Sequence, residues 1–359
     1  MPDYADNIRK SIRLDILAGK YDGGVRFPSE KSFARRYGVS RSTVTRVLET
    51  LKHDGLVASR KGSGTFVCFD RLGGSRRIGL LVPGPESNGF YEGIVKGAVA
   101  KCYELGYEPM LRRVVSEDGK IRQRREAAAM AQDFILNHVD GVLLMPFSQS
   151  AGEVDVNSTM LSSLRKKGIV VQLVNRTVDS PEARECDLVR IDNVDAGRRL
   201  ARHLISKKAR RCLFLDNGLR SRIESVNLRY IGISAEFGEL RLGEIRCFEG
   251  TSNDAKKIGR WVRRYRIQAV ACATDWIAER CLRSLSECGI RVPQDVLVTG
   301  FDGLSARPGS ISLTTIKQPL DEIGSVAISR LVDRIRKRSL PQCEIIVNSE
   351  LVIGGTTGK

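Results

Sequence analysis

The chain has 359 residues, too many for one ordinary domain and in the range of two or three. Hydrophobic residues make up 42% and charged residues 28%, enough apolar material for packed cores, which excludes a disordered chain. Lys and Arg outnumber Asp and Glu by 59 to 42, a formal net charge of +17, which points to an anionic partner, nucleic acid first and an anionic lipid surface second.

The basic charge is densest near the N-terminus. Between Lys31 and Lys61 there are eight Lys or Arg against two acids, Glu49 and Asp54. The nine cysteines show no C-x-x-C spacing, and several sit in apolar runs such as Cys212-Leu213-Phe214-Leu215. Buried free thiols are expected, with no metal site, disulfide framework or cofactor. The acidic start Met1-Pro2-Asp3-Tyr4-Ala5-Asp6 lacks the pattern of a secretory signal. No run reaches the roughly 18 apolar residues of a membrane span. A cytoplasmic protein with no membrane partner is expected.

In chain order, residues 4–18 have helical periodicity, with Ile8, Ile12, Ile16 and Leu17 on one face. Gly19 and Gly23-Gly24 end that helix. Ser29 caps a second helix with Phe33, Ala34 and Tyr37 on its apolar side, and Gly38 stops it. Ser40 caps a third, from Arg41 to about Asp54, with Val44, Val47, Leu48 and Leu51 as its buried stripe. Two short helices joined by a tight turn behind a supporting helix make a helix-turn-helix. The last helix opens with Arg41, Ser42 and Thr43, and Thr45 and Arg46 follow one turn on. Arginine can bridge guanine O6 and N7, and short hydroxyls can reach phosphates or base edges. A hairpin follows: Leu56–Arg60, a tip of Lys61-Gly62-Ser63-Gly64, then Thr65–Val67. That is a wing, its Lys61 suited to a phosphate or the minor groove.

The runs Phe27-Pro28-Ser29-Glu30, Gly38-Val39-Ser40-Arg41-Ser42-Thr43-Val44, Gly55-Leu56-Val57 and Gly62-Ser63-Gly64-Thr65-Phe66-Val67 closely resemble the winged-helix domain of the GntR family over residues 4–68. The resemblance implies DNA contacts at Lys31, Arg41, Ser42, Thr43, Thr45, Lys61 and Gly62. Some members carry Arg where Thr45 stands, so base preference there differs from theirs. A winged helix used only for protein contacts is the alternative, disfavoured by the basic recognition helix and wing.

Residues 70–77 are short, polar and Gly-containing, a linker. Beyond them strands and helices alternate. Apolar strands are expected at Ile78–Val82, Gly141–Met145, Ile169–Val174, Leu188–Ile191, Cys212–Leu215, Ala269–Ala273 and Val296–Gly300, with helices between. The fold class is therefore α/β: an N-terminal winged helix-turn-helix, then a two-lobed, doubly wound parallel α/β domain. Ligands of such sheets sit beyond the carboxyl ends of the strands. There the sequence places Phe90, Tyr91, Phe147, Asn175, Arg176, Asp275, Trp276 and Asp302, with Arg229 near a helix start. Carboxylates accept from hydroxyls, Arg donates to ring or anionic oxygens and aromatics stack on sugar faces, which suits a small polyhydroxy ligand. Asp275 reads equally well as a helix cap.

The runs Asn88-Gly89-Phe90-Tyr91, Asn175-Arg176, Thr274-Asp275, Gly289-Ile290-Arg291-Val292-Pro293, Gly300-Phe301-Asp302 and Leu313-Thr314-Thr315-Ile316-Lys317-Gln318 are similar to the sensor domain of the LacI family and the type I periplasmic sugar-binding proteins, over about 77–355. The resemblance implies effector contacts at Phe90, Tyr91, Arg229, Asp275 and Asp302; Ile233 stands where an aromatic is common. It also implies crossovers near 191 and 317. Domain 1–69 would be followed by linker 70–77 and sensor 78–359, with lobe 1 at about 78–191 and 319–341 and lobe 2 at about 192–317 and 342–359. A GntR-type head on a LacI-type sensor is similar to the arabinose-repressor type of regulator. The linker lacks the LacI hinge-helix pattern.

The expected function is a ligand-responsive transcriptional regulator, a repressor of carbohydrate genes. Its partners would be a double-stranded DNA operator, a sugar effector and a second copy of itself. A solute receptor, an enzyme and an architectural DNA protein are the alternatives. No G-x-S-x-G, H-E-x-x-H or P-loop motif is present, so no catalytic residue is assigned. A nucleoside or sugar acid remains open as effector.

Overall fold

A computed structural model describes residues 4–17, 27–53, 56–60, 64–67, 76–83, 89–113, 124–147, 155–239, 243–304 and 311–358. The chain divides into two compact units, Met1–Arg76 and Arg77–Lys359.

The first unit holds α1 (Tyr4–Leu17), α2 (Glu30–Tyr37), α3 (Arg41–His53) and the antiparallel pair β1 (Val57–Arg60) and β2 (Gly64–Val67). Ile8, Ile12 and Ile16 of α1 pack with Phe33 of α2 and Val44, Val47, Leu48 and Leu51 of α3. The i, i+3, i+4 spacing that marked these helices is thus the spacing of one shared core. The Phe27 amide donates to the Thr65 carbonyl at 2.7 Å, which ties the approach to α2 onto the hairpin.

The second unit is built on two parallel sheets. The first lobe uses β3 (Arg77–Val82), α4 (Phe90–Glu104), β4 (Glu108–Arg113), α5 (Arg124–Leu136), β5 (Gly141–Leu144), α6 (Val156–Lys166), β6 (Val170–Val174) and β7 (Asp187–Arg190). The second uses α7 (Asn193–Ser206), β8 (Arg211–Leu215), α8 (Glu224–Glu239), β9 (Glu244–Cys247), α9 (Ala255–Arg264), β10 (Ala269–Cys272), α10 (Asp275–Glu287) and β11 (Leu297–Thr299). Then β12 (Thr315–Lys317) crosses back to α11 (Leu320–Arg336) and β13 (Glu344–Ile346), and β14 (Glu350–Val352) pairs antiparallel with β12. Strand orders are β13-β7-β6-β5-β3-β4 and β11-β10-β8-β9, parallel throughout.

Two features differ from the sequence reading. Strands β4 and β9 were not anticipated. Both are sheet edges, charged and half-exposed, so they lack the apolar run of a strand covered on both faces. The assignment of 342–359 to lobe 2 also needs correction. Glu344–Ile346 pairs with Leu188–Arg190, completing the first sheet before the chain crosses. Burial of Val347 against the core holds it there. The linker at 70–75 lies outside the described residues.

Each lobe joins two of its helices through facing glycines. A Cβ on Gly97 of α4 would lie 1.8 Å from the Asp321 carbonyl oxygen, and one on Gly324 of α11 would lie 2.0 Å from that of Ile94. In lobe 2, Gly197 of α7 and Gly232 of α8 stand likewise, 2.4 and 2.1 Å from the Arg229 and Val194 oxygens. The obstacles are backbone, so no rotamer relieves them. Gly232→Ala is expected to destabilise the sensor by about 1–3 kcal/mol, read as a lower urea midpoint; an unchanged midpoint would contradict this crossing.

The described cysteines are free. Burial pushes the Cys102 and Cys212 thiols up to about 12, so neither is a thiolate at neutral pH.

Candidate nucleic-acid interface and effector site

In the first unit the N-terminal ends of α2 and α3 present the polar groups. Ser29 caps α2, its hydroxyl accepting from the Ser32 amide at 3.2 Å. Ser40 caps α3, accepting from the Thr43 amide at 3.2 Å, with the Ser42 and Thr43 hydroxyls each 2.8 Å away. Gly38, left-handed at φ 64°, makes the tight turn between the helices. Arg41 and Lys31 are exposed, and a loose 4.0 Å ion pair from Arg41 to Glu30 brings the two helix starts together. An exposed pair of that length is weak and readily exchanged for a phosphate or base. The Thr45 hydroxyl donates to the Arg41 carbonyl at 3.0 Å, so toward a partner it offers a methyl group and an acceptor, not a donor. Arg46 is exposed and borders a shallow depression with Asp6 and Arg9 of α1. Lys61 and Gly62 lie outside the described residues.

In the second unit, buried charge converges where the strands of lobe 2 end. Arg229, on α8, is almost fully buried. Its Nε donates to Asn193 Oδ1 at 3.1 Å and its Nη1 to the Ala273 carbonyl at 2.7 Å. Its Nη2 is 3.5 Å from Asp302 Oδ1, and its guanidinium lies 3.7 Å over the Phe301 ring. Asp302 accepts from Gln318 Nε2 at 2.9 Å, and its backbone is bracketed by Ile316 and Gln318 of the crossover. Its φ of 118° is rare for a residue with a side chain, a strain that the bracketing overcomes.

Asp275 opens α10 but does not cap it. Thr274 is the cap, its hydroxyl accepting from the Ile277 amide at 3.2 Å. The Asp275 carboxylate instead accepts from the Thr315 hydroxyl at 2.6 Å and the Leu304 amide at 2.7 Å. That geometry excludes the cap role for Asp275. Gly300 makes room, since a Cβ there would meet Asp275 Oδ1 at 2.2 Å.

From lobe 1, Asn175 takes a left-handed φ of 73° at the end of β6 and turns Arg176 over the sheet. Arg176 donates twice to the Pro146 carbonyl, at 2.9 and 2.5 Å, and lies 3.4 Å from the Tyr91 hydroxyl. Phe90 and Tyr91 meet edge to face, 5.4 Å apart, half-buried at the start of α4. The Arg176 charge acts on Arg229 from the other lobe. Phe147 departs from the expectation. It is buried with Val156 and Met160 in the smaller lobe-1 core, while Phe90 and Tyr91 pack against the larger one. Its amide and carbonyl are both held by the Asn157 side chain, at 2.8 and 2.9 Å. The side chain there serves packing.

Asn193, Phe301, Thr315 and Gln318 were not singled out as site residues. Phe301, Thr315 and Gln318 lie inside runs already notable in the sequence, but a contact with a buried charge is visible only in the fold. Nor was Glu224 anticipated. At the start of α8 it accepts from the Thr177 amide at 3.3 Å and stands 3.6 Å from Arg190, so it bridges the lobes on the helix that carries Arg229. A cavity of about 910 Å³ opens beside this bridge, lined by Thr177, Ser180, Arg184, Arg190 and Glu224. It holds none of the converging charges. Preorganised buried polar groups, rather than empty volume, distinguish a ligand site, so the convergence at Arg229 is taken as the candidate.

The electrostatics follow from burial. Desolvation raises the Asp302 carboxyl to about 7; Asp275 adds to this, while Arg229 and Gln318 oppose it. Desolvation also raises Asp275, against the Thr315 and backbone hydrogen bonds. The Arg229 guanidinium is lowered by burial and by Arg176, against the pull of Asp302 and Asp275.

By its curated relatives this chain is a ligand-responsive DNA-binding transcriptional regulator. Residues 4–67 match the gntR family of bacterial regulatory proteins, and residues 201–357 match the periplasmic binding protein-like domain. The chain is thus similar to the first of these in its head and to the second over much of its sensor unit. It is 24% identical over 370 residues to the arabinose metabolism transcriptional repressor of Geobacillus stearothermophilus, covering 99% of this chain and 98% of that one. It is 25% identical over 345 residues to the HTH-type transcriptional repressor PurR of Photobacterium profundum, covering 90% and 96%. Among solved structures, the transcriptional regulator CelR in complex with cellobiose superposes with a TM-score of 0.64 at 22% identity, over 92% of this chain and all of that one. Among the described residues no helix is long and apolar enough to cross a membrane.

Asp302 holds its proton more tightly folded than unfolded. Its contribution to stability is therefore full below its ordinary value of 3.8 and lost as pH rises through about 7. Asp302→Asn keeps the Gln318 hydrogen bond and removes the titration. Its melting temperature relative to wild type is expected to rise from about pH 5 to about pH 8; a difference flat with pH would contradict the assignment.

Proposed function

We propose that this protein is a homodimeric, cytoplasmic repressor of carbohydrate-metabolism genes, released from or recruited to its operator by a small sugar. The convergence of Arg229, Asp275 and Asp302 at the carboxyl ends of one sheet, with Arg176 and Tyr91 offered from the other lobe, carries this reading. A ring with several hydroxyls answers both sides: its oxygens accept from the guanidiniums, its hydroxyls donate to carboxylates, and its apolar face meets Phe90. Such a ligand bridges the lobes and binds a closed arrangement better than an open one. That unequal affinity is what lets it shift operator binding. Lys31, Arg41, Ser42 and Thr43 read the operator, Thr45 meets it through its methyl group, and Arg46, Lys61 and Gly62 add backbone contacts. A twofold dimer calls for a roughly palindromic operator. The arabinose repressor and the cellobiose-bound regulator support a sugar.

Two measurements test the two halves. Thermal-shift screening against mono- and disaccharides should find a sugar that raises the melting temperature in wild type and not in Asp302→Ala. A purine as the sole stabilising ligand would overturn the sugar assignment. Arg41→Ala should weaken operator binding by roughly 10–100-fold, the worth of one bidentate base contact. Equal affinity in a mobility-shift titration would remove Arg41 from the interface.

A further inference from the structure

We infer that lobe 1 carries a second DNA-backbone surface at the amino-terminal ends of its strands, the end of the sensor that the chain enters from the head. It would hold phosphates beyond the bases that the head reads. Two helix ends compose it: Lys166 and Lys167 finish α6, and Arg336, Lys337 and Arg338 finish α11. All five are exposed. The regulator reading enters only as the source of duplex.

The two helix ends adjoin. Arg338 Nη1 donates at 2.6 Å to the carbonyl of Gly168, which follows Lys167 and leads into β6. Arg334 Nε, in the last turn of α11, stands 3.7 Å from Asp187, the first residue of β7. The chain enters the sensor at Arg77, the first residue of β3. Strands β3, β5, β6 and β7 are parallel neighbours, so their first residues share one end of the sheet. Two strand spacings, about 10 Å, separate β3 from β6. The step from Val67, the last residue of β2, to Arg77 is ten residues and spans at most about 35 Å. Duplex held by the head is therefore supplied to this end of lobe 1 at a high effective concentration.

The two acids at the start of β7 are already taken. Glu185 is bound by Arg165, and the buried Asp187 by Arg330 at 2.7 Å and by Arg334. Asp333, one turn before Lys337, and Glu182, which feels the charge of Lys166, pair directly with none of the five cations. Among the described residues no carboxylate forms an ion pair with Lys166, Lys167, Arg336, Lys337 or Arg338. Carbonyls at a helix end attract cations, which lets the fold tolerate them there. That attraction gives no reason to gather five on two adjoining ends, where like charges repel. A polyanion does. Its phosphates would be met without regard to sequence, with release of counterions.

The test uses the full chain and a random-sequence duplex several helical turns long, with affinity followed by anisotropy between about 50 and 200 mM salt. Lys167→Gln/Arg336→Gln/Lys337→Gln and the matching triple Glu variant should both bind more weakly, the Glu variant more so. The slope of log K against log salt should fall by about 2–3. The Gln triple should keep or raise the melting temperature, which a structural role for these side chains would lower. As a control, Lys256→Gln/Arg260→Gln/Arg264→Gln removes as much exposed charge from α9 of lobe 2 and should leave the slope nearer that of wild type. An equal loss of slope in that control would overturn the proposal, as would unchanged affinity and slope in both lobe-1 triples. So would a loss of binding to vesicles of anionic lipid with the DNA slope intact, which would give the surface to a membrane. Wild type that bound no duplex would overturn the regulator reading as well.

Discussion

A guanidinium removed from water is the constraint around which the sensor is arranged. An unpaired charge at that depth is prohibitively costly, so Arg229 must find partners within the fold. Asn193 at the start of α7, the Ala273 carbonyl beyond β10 and Asp302 beyond β11 meet it, and Phe301 covers one face. These partners come from separate elements of lobe 2, so satisfying one side chain aligns helix, strands and crossover together. Asp302 pays with a strained backbone and a carboxyl held near its neutral form.

The two lobes solve one packing problem in the same way. In each, a helix carrying site residues approaches its neighbour backbone to backbone through a pair of glycines, α4 on α11 and α7 on α8. Close crossings of this kind make each lobe a stiff body. Between them, Glu224 meets Thr177 and Arg190. The head is separately cored, with Ile12, Phe33, Val47 and Leu51 excluding water from its three helices while the polar tip of α3 stays exposed.

Much of this was legible in the chain itself. Periodicity located α1 to α3 because their apolar positions form a single stripe against one core. Uninterrupted apolar runs located β3, β5, β6, β8 and β10 because those strands are covered on both faces. Edge strands β4 and β9 escaped for the converse reason. Arg229, Asp275 and Asp302 stood out by chemical type beside strand ends, and so did Phe147, which the fold turns into a core instead.

Residue order alone determined the winged-helix head, the parallel two-lobed architecture and the residue types of the candidate site, since each depends on local spacing and on where apolar runs stop. Tertiary structure alone decided that Asp275 bonds Thr315 rather than capping a helix, and that β13 completes the first sheet. Those outcomes depend on through-space electrostatics and on competition for buried hydrogen-bond partners, which sequence neighbours do not encode.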